Sequence, residues 1–191
     1  MMSNADTEKG RLIVVSGPSG VGKGTVLKRV LAECDKLCLS VSATTRPPRA
    51  EDTEGVTYYF KTKDEFKSMI DEDKFLEWAI YNNNYYGTPI EPVEQKLNQG
   101  ISVLLEIDVQ GAMNVMKNHS DAVYIFIAPP SVETLRERLM GRASETPEEI
   151  ERRVSAAMSE LDKQDKYDYI VVNNVLDEAV EAVKNIIEGK N

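Results

Sequence analysis

The segment with the clearest chemical meaning is a glycine-rich loop near the start of the chain. It follows an apolar run at Leu12–Ser16, and its residues are Gly17, Pro18, Ser19, Gly20, Val21, Gly22 and Lys23. This order fits G-x-x-x-x-G-K, in which glycines let backbone N–H groups converge on phosphate oxygens at a helix N-terminus. The lysine supplies a positive charge for the β- and γ-phosphates of a nucleoside triphosphate. The sequence therefore predicts a phosphate loop at Gly17–Lys23.

The residue after the lysine departs from this motif. The position that usually carries the Ser or Thr that binds Mg²⁺ is Gly24, and Thr25 follows. Two arrangements remain open: Thr25 supplies the hydroxyl, or nucleotide oxygens, water and other residues hold the metal. A side chain one residue further along a helix is rotated by about 100°, which favours the second arrangement, with Asp108 orienting a metal-bound water. The protein ligands of the metal are therefore left unassigned.

A second group of residues has the chemistry to bind an anionic acceptor. Arg46 and Arg49 lie close together on a loop stiffened by two prolines, and guanidinium groups match phosphate oxygens in pairs. Tyrosine hydroxyls can donate to the same anion, and two carboxylates stand in otherwise apolar segments; these residues are Tyr58, Tyr86, Glu77 and Asp108. The sequence therefore predicts an acceptor that carries both a phosphate and a group able to donate to carboxylates.

The carboxylates favour guanine over adenine as that group. Guanine presents N1–H and an exocyclic amine as donors and O6 as an acceptor, so a carboxylate can accept both donors. The hydroxyls of Ser42 and Thr88 can donate to O6. Adenine lacks the N1–H and would leave the carboxylate unpaired. A guanine nucleotide is therefore the expected acceptor.

Composition limits the class of protein. The chain has 191 residues, 23 Lys and Arg against 32 Asp and Glu, a net charge of −9 and 41% apolar residues. These values indicate one soluble globular unit and argue against a general nucleic-acid or membrane binder. Apolar runs too short for a bilayer and a polar N-terminus predict a cytoplasmic protein. Cys34 and Cys38 have no nearby Cys or His partner, so reduced, mostly buried thiols are expected instead of a metal site.

Short apolar runs alternate with helical patterns along most of the chain. Strands are expected at Leu12–Ser16, Leu37–Ser42, Val103–Leu105, Val123–Ile127 and Tyr169–Val172. Continuous apolar runs of this kind are typical of strands buried on both faces of a parallel sheet. Helices are expected at Thr25–Glu33, Glu91–Gln99, Val109–Lys117, Ser131–Met140, Glu148–Asp162 and Leu176–Ile187. This alternation predicts an α/β fold in which helices flank a parallel sheet.

Two helix starts carry the capping-box pattern of a Ser or Thr followed three residues later by Glu or Gln. They are Thr62 with Glu65, and Thr146 with Glu149, the latter with Pro147 at the first helical position. Both patterns predict that a helix begins at the residue after the threonine.

The sequence pattern of residues 43–90 differs from that of the rest of the chain. Strand-like segments at Thr57–Phe60 and Phe75–Tyr81 are followed by Asn82–Asn84, which is typical of a hairpin turn. This region is therefore expected to form a small β-rich insertion beside the main sheet. Phe75 and Trp78 are expected to lie in its core.

Together, these motifs closely resemble guanylate kinases over about residues 10–187. The segments that carry the resemblance are Gly17–Lys23, Ser42–Arg49, Tyr85–Thr88, Glu106–Gly111, Ile127–Ser131 and Arg138–Arg142. The resemblance implies a single domain, residues 1–191, with a P-loop NTPase-type parallel sheet flanked by helices. Within it, the core covers about residues 10–38, 91–140 and 156–191, a GMP-binding subdomain covers about 39–90, and a helical lid covers about 141–155.

The resemblance also implies roles for individual residues. The catalytic residues would be Lys23 and two lid arginines, Arg142 and Arg153. ATP would be bound by the phosphate loop with Gly24 and Thr25, and by Asn173 at its adenine end. The GMP phosphate would be bound by Arg46, Arg49, Tyr58 and Tyr86, and guanine by Ser42, Glu77, Thr88 and Asp108.

The implied reaction is transfer of the terminal phosphoryl group of ATP to GMP, which gives ADP and GDP in purine nucleotide metabolism. Mg²⁺ is the implied cofactor, ATP and GMP are the implied partners, and dGMP is a further acceptor of the same chemistry. Monomer and homodimer both remain open, and no nucleic-acid or membrane partner is expected. Two alternatives are another nucleoside-monophosphate kinase, which would lack the guanine-binding set, and an inactive scaffold, which would lack the phosphate loop.

Overall fold

The computed structural model describes residues 9–140 and 146–190. The strands in these ranges are β1 (Leu12–Ser16), β2 (Leu37–Leu39), β3 (Ala43–Thr44), β4 (Tyr59–Phe60), β5 (Phe75–Tyr81), β6 (Asn84–Pro89), β7 (Ser102–Glu106), β8 (Val123–Ala128) and β9 (Tyr169–Val172). The α-helices are α1 (Lys23–Glu33), α2 (Lys63–Asp71), α3 (Ile90–Asn98), α4 (Val109–Asn118), α5 (Val132–Met140), α6 (Pro147–Leu161) and α7 (Leu176–Glu188). The predicted α/β alternation is confirmed.

A parallel sheet forms the centre of the protein. Its five strands lie in the order β2-β7-β1-β8-β9, and each neighbouring pair in that order is parallel. Alternate residues of β1 face opposite layers: Ile13 and Val15 pack with α1 and α7, whereas Leu12 and Val14 pack with α3 and α4. Because β1 is central, the loop that follows it leaves the most buried strand of the sheet.

Two expectations about these strands are wrong in detail. β9 is an edge strand, and Ile170 and Val172 are 46% and 50% exposed, so the run at Tyr169–Val172 is not buried on both faces. Only Val171 of that strand packs inward, beside α7. The expected strand Leu37–Ser42 ends at Leu39, because the chain leaves the main sheet there and enters a second sheet at β3.

The second sheet is the predicted β-rich insertion. Its four strands lie in the order β4-β3-β6-β5, and Phe66 of α2 packs against Phe75 and Tyr85 of this sheet. Asn82 and Asn83 have φ angles of 47° and 62° in the turn between β5 and β6, as the hairpin prediction requires. Phe75 stacks on the fully buried Phe66 at a ring distance of 4.3 Å. Trp78 is 42% exposed, so its placement in the core is wrong; it lies on the hairpin surface beside other exposed apolar residues.

Both capping boxes are confirmed. The Thr62 N–H donates to the Glu65 carboxylate at 2.7 Å, and the Glu65 N–H donates back to the Thr62 hydroxyl at 3.2 Å. The Thr146 N–H donates to Glu149 at 2.8 Å, and the Glu149 N–H returns to the Thr146 hydroxyl at 3.3 Å. These bonds satisfy backbone donors that a helix start leaves without partners. They set the first turns of α2 and α6.

Two further features concern the protein as a whole. Cys34 and Cys38 are free thiols, as expected, but both are only partly buried. Within residues 9–140 and 146–190, none of the helices combines the length and the apolar character needed to cross a membrane.

Candidate active site

The phosphate loop connects β1 to α1. Gly22 is the N-cap of α1 and has a φ of 93°, a left-handed conformation that glycine adopts without strain. A methyl group added at Gly22 would lie 2.7 Å from the Asn173 side-chain nitrogen, so a larger residue would also collide. The N-terminus of α1 therefore opens directly at Lys23, where its backbone N–H groups and its positive dipole end can face an anion.

Lys23 is held by its own loop. Its ammonium group donates to the carbonyl of Gly17 at 2.5 Å and to that of Pro18 at 3.1 Å. Burial lowers the pKa of Lys23 below its ordinary value, and the carboxylates of Glu106, Glu160 and Asp108 oppose this shift. Because little water screens this partly buried ammonium group, its interactions with nearby charges are strong.

Gly24 has room for a small side chain where the usual motif has a hydroxyl. A methyl group placed there would lie 3.7 Å from the Glu106 carboxylate, which is the nearest heavy atom outside the loop itself. Glu106 is the last residue of β7 and pairs in register with Val15 of β1. Thr25 is exposed on the first turn of α1. The group that approaches the missing hydroxyl position is thus a carboxylate of the neighbouring strand.

Asn173 and Arg138 brace the phosphate loop from outside. The Asn173 side chain is 7% exposed and donates to the Val21 carbonyl at 2.8 Å. Arg138 donates to the same carbonyl at 3.2 Å and to the Asn173 carbonyl at 2.9 Å. The amide nitrogen of Asn173 is therefore engaged with the loop, and a role at the adenine end of ATP stays a prediction.

Glu77 lies on β5 and is oriented by Thr88 of the adjacent strand β6. The Thr88 hydroxyl, which is fully buried, donates to one Glu77 carboxylate oxygen at 2.7 Å. Burial raises the pKa of Glu77, the bond from Thr88 opposes that rise, and the charge of Asp108 adds to it. Thr88 therefore fixes the carboxylate, which is a different contact from the donation to guanine O6 predicted for it.

Asp108 lies in the connection between β7 of the main sheet and α4, and it is not part of a strand. It is the N-cap of α4, and one of its carboxylate oxygens accepts from the Gly111 N–H at 2.6 Å. A methyl group at Gly111 would lie 3.3 Å from Asp108 and 3.5 Å from Glu77, so this glycine sits between the two carboxylates. The insertion and the core thus place one carboxylate each against the same helix start.

These carboxylates line a cleft between the insertion and the main sheet, which we call the acceptor cleft. Its volume is about 280 Å³, and it is lined by Ser42, Glu77, Ala79, Tyr81, Tyr86, Gly87, Glu106, Ile107 and Asp108. Four of the predicted GMP ligands are therefore brought together. The cleft also includes Glu106, which faces the phosphate loop, so the predicted acceptor and donor regions adjoin.

The Arg46 side chain is held beside Tyr58 by its bond to Asp52. Its guanidinium donates to Asp52 at 2.8 Å and lies 5.3 Å from the centre of the Tyr58 ring. The same Asp52 oxygen accepts from the Arg49 N–H at 2.7 Å. The Tyr58 ring makes an edge contact with Tyr86 at 6.0 Å. Arg46, Tyr58 and Tyr86 therefore form one cluster beside the acceptor cleft, and Asp52 joins it to the backbone of Arg49.

Arg153 reaches the phosphate loop from α6. Its guanidinium donates to the Ser19 hydroxyl at 2.7 Å. Helix α6 is joined to α5 by a shared apolar cluster of Leu135, Leu139, Val154 and Ala157, and by an ion pair between Arg136 and Glu151. The second predicted lid arginine, Arg142, lies outside the described residues.

The roles of three acidic residues at this site were not predicted from the sequence. Asp52 holds the arginine loop, Glu106 approaches Gly24, and the charge of Glu160 on α6 opposes the lowering of the Lys23 pKa. Asp52 had a local signal, since an acidic residue stands among arginines on one short loop. Glu106 and Glu160 had none, because their roles depend on which strands and helices become neighbours.

Comparison with known proteins agrees with this geometry. The sequence model of the family described as guanylate kinase matches residues 9–190. A guanylate kinase of Caldanaerobacter subterraneus is 50% identical over 94% of this chain and 87% of its own length. One of Bacillus cereus is 48% identical over 97% of this chain and 91% of its own. The crystal structure of guanylate kinase from Anaplasma phagocytophilum superposes with a TM-score of 0.71 at 34% identity, covering 96% of this chain and 87% of that one.

The fold and the phosphate loop define a nucleotide kinase. The match over nearly the whole chain is more specific: the chain belongs to the guanylate kinase family. It is accordingly an ATP:GMP phosphotransferase, and the resemblance seen in the sequence is confirmed.

Proposed function

We propose that the chain transfers the γ-phosphoryl group of ATP, bound on the phosphate loop, to GMP bound in the acceptor cleft. The observation that carries this assignment of sites is the pair of carboxylates, Glu77 and Asp108, which line the acceptor cleft and meet at Gly111. An oxygen of the GMP phosphate forms a bond to the γ-phosphorus while the bond to the β–γ bridging oxygen breaks and ADP leaves. No general base is needed, because the attacking phosphate is already an anion.

Guanine is recognised by the two carboxylates in this proposal. Glu77 accepts from N1–H and the exocyclic amine, with Thr88 holding its carboxylate in place, and Asp108 and Ser42 contact the same base. The pKa of Glu77 is raised by burial, so two guanine donors stabilise the charged form that burial disfavours. An adenine ring lacks the N1–H and so does not offer this partly buried carboxylate the donor that guanine does.

The GMP phosphate binds Arg46, Arg49, Tyr58 and Tyr86 in the same proposal. Asp52 holds Arg46 and the backbone of Arg49 in one place before the phosphate arrives. A phosphate with two negative charges then faces two guanidinium groups, which bind phosphate oxygens in forked pairs. The phosphate is thereby oriented toward the donor side.

Lys23 and Arg153 neutralise the transferring group. Anionic phosphate oxygens are stronger acceptors than the two carbonyls and the hydroxyl to which these side chains donate. Both side chains therefore exchange their partners for phosphate oxygens when ATP binds. Arg142 would join them from the lid. Catalysis in this scheme is alignment and charge stabilisation.

The residues present fit Mg²⁺ if the nucleotide supplies part of its shell. Among the described residues, no group of three or more His, Cys, Asp or Glu side chains could hold a metal alone. Mg²⁺ usually keeps several waters and binds through few carboxylates together with substrate phosphates. We propose that Glu106, which reaches the space beside Gly24, holds the ion directly or through a water. When bound, Mg²⁺ neutralises charge on the phosphates.

The division of the chain into moving parts is also a proposal. The cleft lies between the insertion, about residues 39–90, and the core, and the lid, about residues 141–155, includes the first part of α6. Closure of both over bound nucleotides would exclude water and limit wasteful hydrolysis of ATP. The free thiols Cys34 and Cys38 suit a reducing cytoplasm.

A coupled assay of ADP release tests the proposed acceptor. AMP, CMP, UMP, GMP and dGMP are each supplied with MgATP. A site built on hydrogen bonds rejects an analogue that cannot make them by about 10⁴-fold, so kcat/KM for GMP should exceed that for AMP by at least ~10³-fold. Comparable values for GMP and AMP would contradict guanine recognition by Glu77 and Asp108.

A further inference from the structure

One residue of the segment Ser42–Arg49 has no part in the scheme above. Thr44 is the last residue of β3, and its side chain is fully buried. Its hydroxyl accepts a hydrogen bond from the Arg46 N–H at 3.1 Å and donates one to the Tyr85 carbonyl at 3.0 Å. Because a hydroxyl has a single proton to donate, these two bonds fix its orientation. Thr44 therefore links the start of the loop that carries the arginines to β6.

Both bonds of this hydroxyl end at or beside proposed ligands of the GMP phosphate. Arg46 is one of those ligands, and Tyr85 directly precedes another, Tyr86. Thr44 also pairs in register with Tyr86 across the antiparallel strands β3 and β6. One buried hydroxyl thus lies between the two chain segments that carry Arg46 and Tyr86.

The Arg46 side chain is held at its far end by a separate set of contacts. Its guanidinium donates to Asp52 at 2.8 Å and lies 5.3 Å and 5.9 Å from the ring centres of Tyr58 and Phe60. The main-chain end of Arg46 is tied to β6 through the Thr44 hydroxyl. The direction in which Arg46 leaves the sheet therefore depends on Thr44.

The local turn explains this dependence. A bond from an N–H back to a threonine hydroxyl two residues earlier closes a turn that Ser and Thr favour. Because β3 ends at Thr44, this turn sets the path of the chain as it leaves the sheet. The neighbouring Thr45 hydroxyl accepts from the Tyr85 N–H at 3.0 Å, a bond that joins the same two segments without involving Arg46.

We propose that Thr44 is a positioning residue for the acceptor phosphate: its hydroxyl sets the distance and direction of Arg46 relative to Tyr86, so that both contact one phosphate group. The inference rests on the proposed function, since it takes Arg46 and Tyr86 as ligands of the GMP phosphate. Thr44 touches neither nucleotide and acts only through these two residues.

Two ligands on separate segments bind one phosphate well only when their spacing fits it. Guanidinium–phosphate bonds are directional, and misplacement of a binding group by about 1 Å can cost about 10²-fold in rate. Guanine and ATP are bound by other residues in the proposed scheme. Loss of the Thr44 hydroxyl should therefore be felt at the GMP phosphate and little elsewhere.

Replacement of the hydroxyl by a methyl group of similar size tests the proposal. Thr44→Val should raise the KM for GMP about 10-fold, because both hydrogen bonds are lost, and leave the KM for ATP within about twofold. Thr44→Ser keeps the hydroxyl and should return the KM for GMP to within about threefold of wild type. A Thr44→Val enzyme with the wild-type KM for GMP would overturn the proposal.

A double-mutant cycle with Arg46 identifies the residue that Thr44 positions. In an Arg46→Ala background, Thr44→Val should change the KM for GMP by less than about threefold, because the guanidinium is gone. An equal rise of this KM in both backgrounds would contradict the proposed role.

Thr45→Val is the matched control. It removes a hydrogen bond between the same two segments, so it should lower the Tm about as much as Thr44→Val, yet leave the KM for GMP within about twofold. Equal rises of this KM in the two variants would show that the sheet has only been loosened, against the proposal. If Thr44→Val does not fold, Thr44→Cys, whose thiol is a weak hydrogen-bonding group, takes its place in the comparison with Thr44→Ser.

A second readout separates the phosphate from the base. Guanosine lacks the phosphate, so its Ki as a competitive inhibitor should stay within about twofold in Thr44→Val, while the affinity for GMP, measured by calorimetry, falls about 10-fold. A parallel loss of guanosine and GMP binding would overturn the proposal. Failure of the wild type to phosphorylate GMP would refute the proposed function, whereas normal phosphorylation by both wild type and Thr44→Val would refute this inference alone.

Discussion

In the proposed scheme, the donor side and the acceptor side of this protein bind phosphate by different means. The phosphate loop uses backbone groups that follow the fully buried strand β1, and its shape depends on glycine. The acceptor cleft and the arginine loop use side chains that other side chains hold in place, such as Glu77 by Thr88 and Arg46 by Asp52. The difference predicts that donor-side changes affect turnover, whereas acceptor-side changes affect the choice of substrate.

The largest effect is expected at Lys23. Lys23→Ala removes a preorganised charge from the transferring group and should lower kcat by about 10²–10³-fold with the fold intact. Steady-state kinetics with circular dichroism measures both. Lys28→Ala, an exposed lysine on the same helix, is the matched control and should be silent. Near-normal turnover in Lys23→Ala would remove the distinction between the two sides.

Arg153 should come next. Arg153→Ala should reduce kcat about 10²-fold with small changes in either KM, because the guanidinium acts mainly in the transition state. The neighbouring Arg152 is exposed, and Arg152→Ala should be nearly silent. Equal losses from both substitutions would show that α6 matters only through its overall charge.

Glu77 tests the acceptor side. Glu77→Gln replaces an acceptor of two guanine donors by an amide that presents a donor to one of them. Such a buried mismatch should lower kcat/KM for GMP by about 5–150-fold while the KM for ATP stays within twofold. Glu94→Gln, an exposed carboxylate on α3, serves as the control. A parallel loss of ATP binding would mean that the two sides are not separate in function.

The smallest pair of effects concerns the metal. Glu106→Gln should raise the half-saturating magnesium concentration severalfold, and Thr25→Ala should shift it by less than about twofold, because Thr25 is rotated by about 100° from the motif position. Binding of Mn²⁺ in the presence of ATP, followed by paramagnetic resonance, gives a readout independent of turnover. The reverse order of effects would assign the metal to the Thr25 hydroxyl.

The donor side could be predicted from the sequence because the residues that form it are consecutive in the chain. A strand, seven consecutive residues and a helix start contain the whole phosphate loop, and the structure keeps them in that order. The acceptor side could be predicted only in part. The residues with suitable chemistry were identified, but no local pattern predicts the hydrogen bond between Thr88 and Glu77 or the position of Asp108 at a helix N-cap. Those facts depend on which strands become neighbours.

The same limit explains the errors in the fold. An apolar run such as Tyr169–Val172 indicates a strand, but its position at the sheet edge depends on the order of all five strands. Trp78 is large and apolar, yet the alternation along β5 gives one face to the cleft and leaves the other exposed. Strand β2 ends at Leu39 because the chain passes there from the main sheet to the second sheet. Local patterns carry none of this information.

The bracing of the phosphate loop by Asn173 and Arg138 has a thermodynamic consequence. Their hydrogen bonds to the Val21 carbonyl, with the left-handed Gly22, keep the loop in one shape before any nucleotide arrives. Binding to a surface that is already ordered loses little conformational entropy. Calorimetry should therefore find a small entropic penalty for the triphosphate, and a larger one in Asn173→Ala, where the loop must be ordered by its ligand.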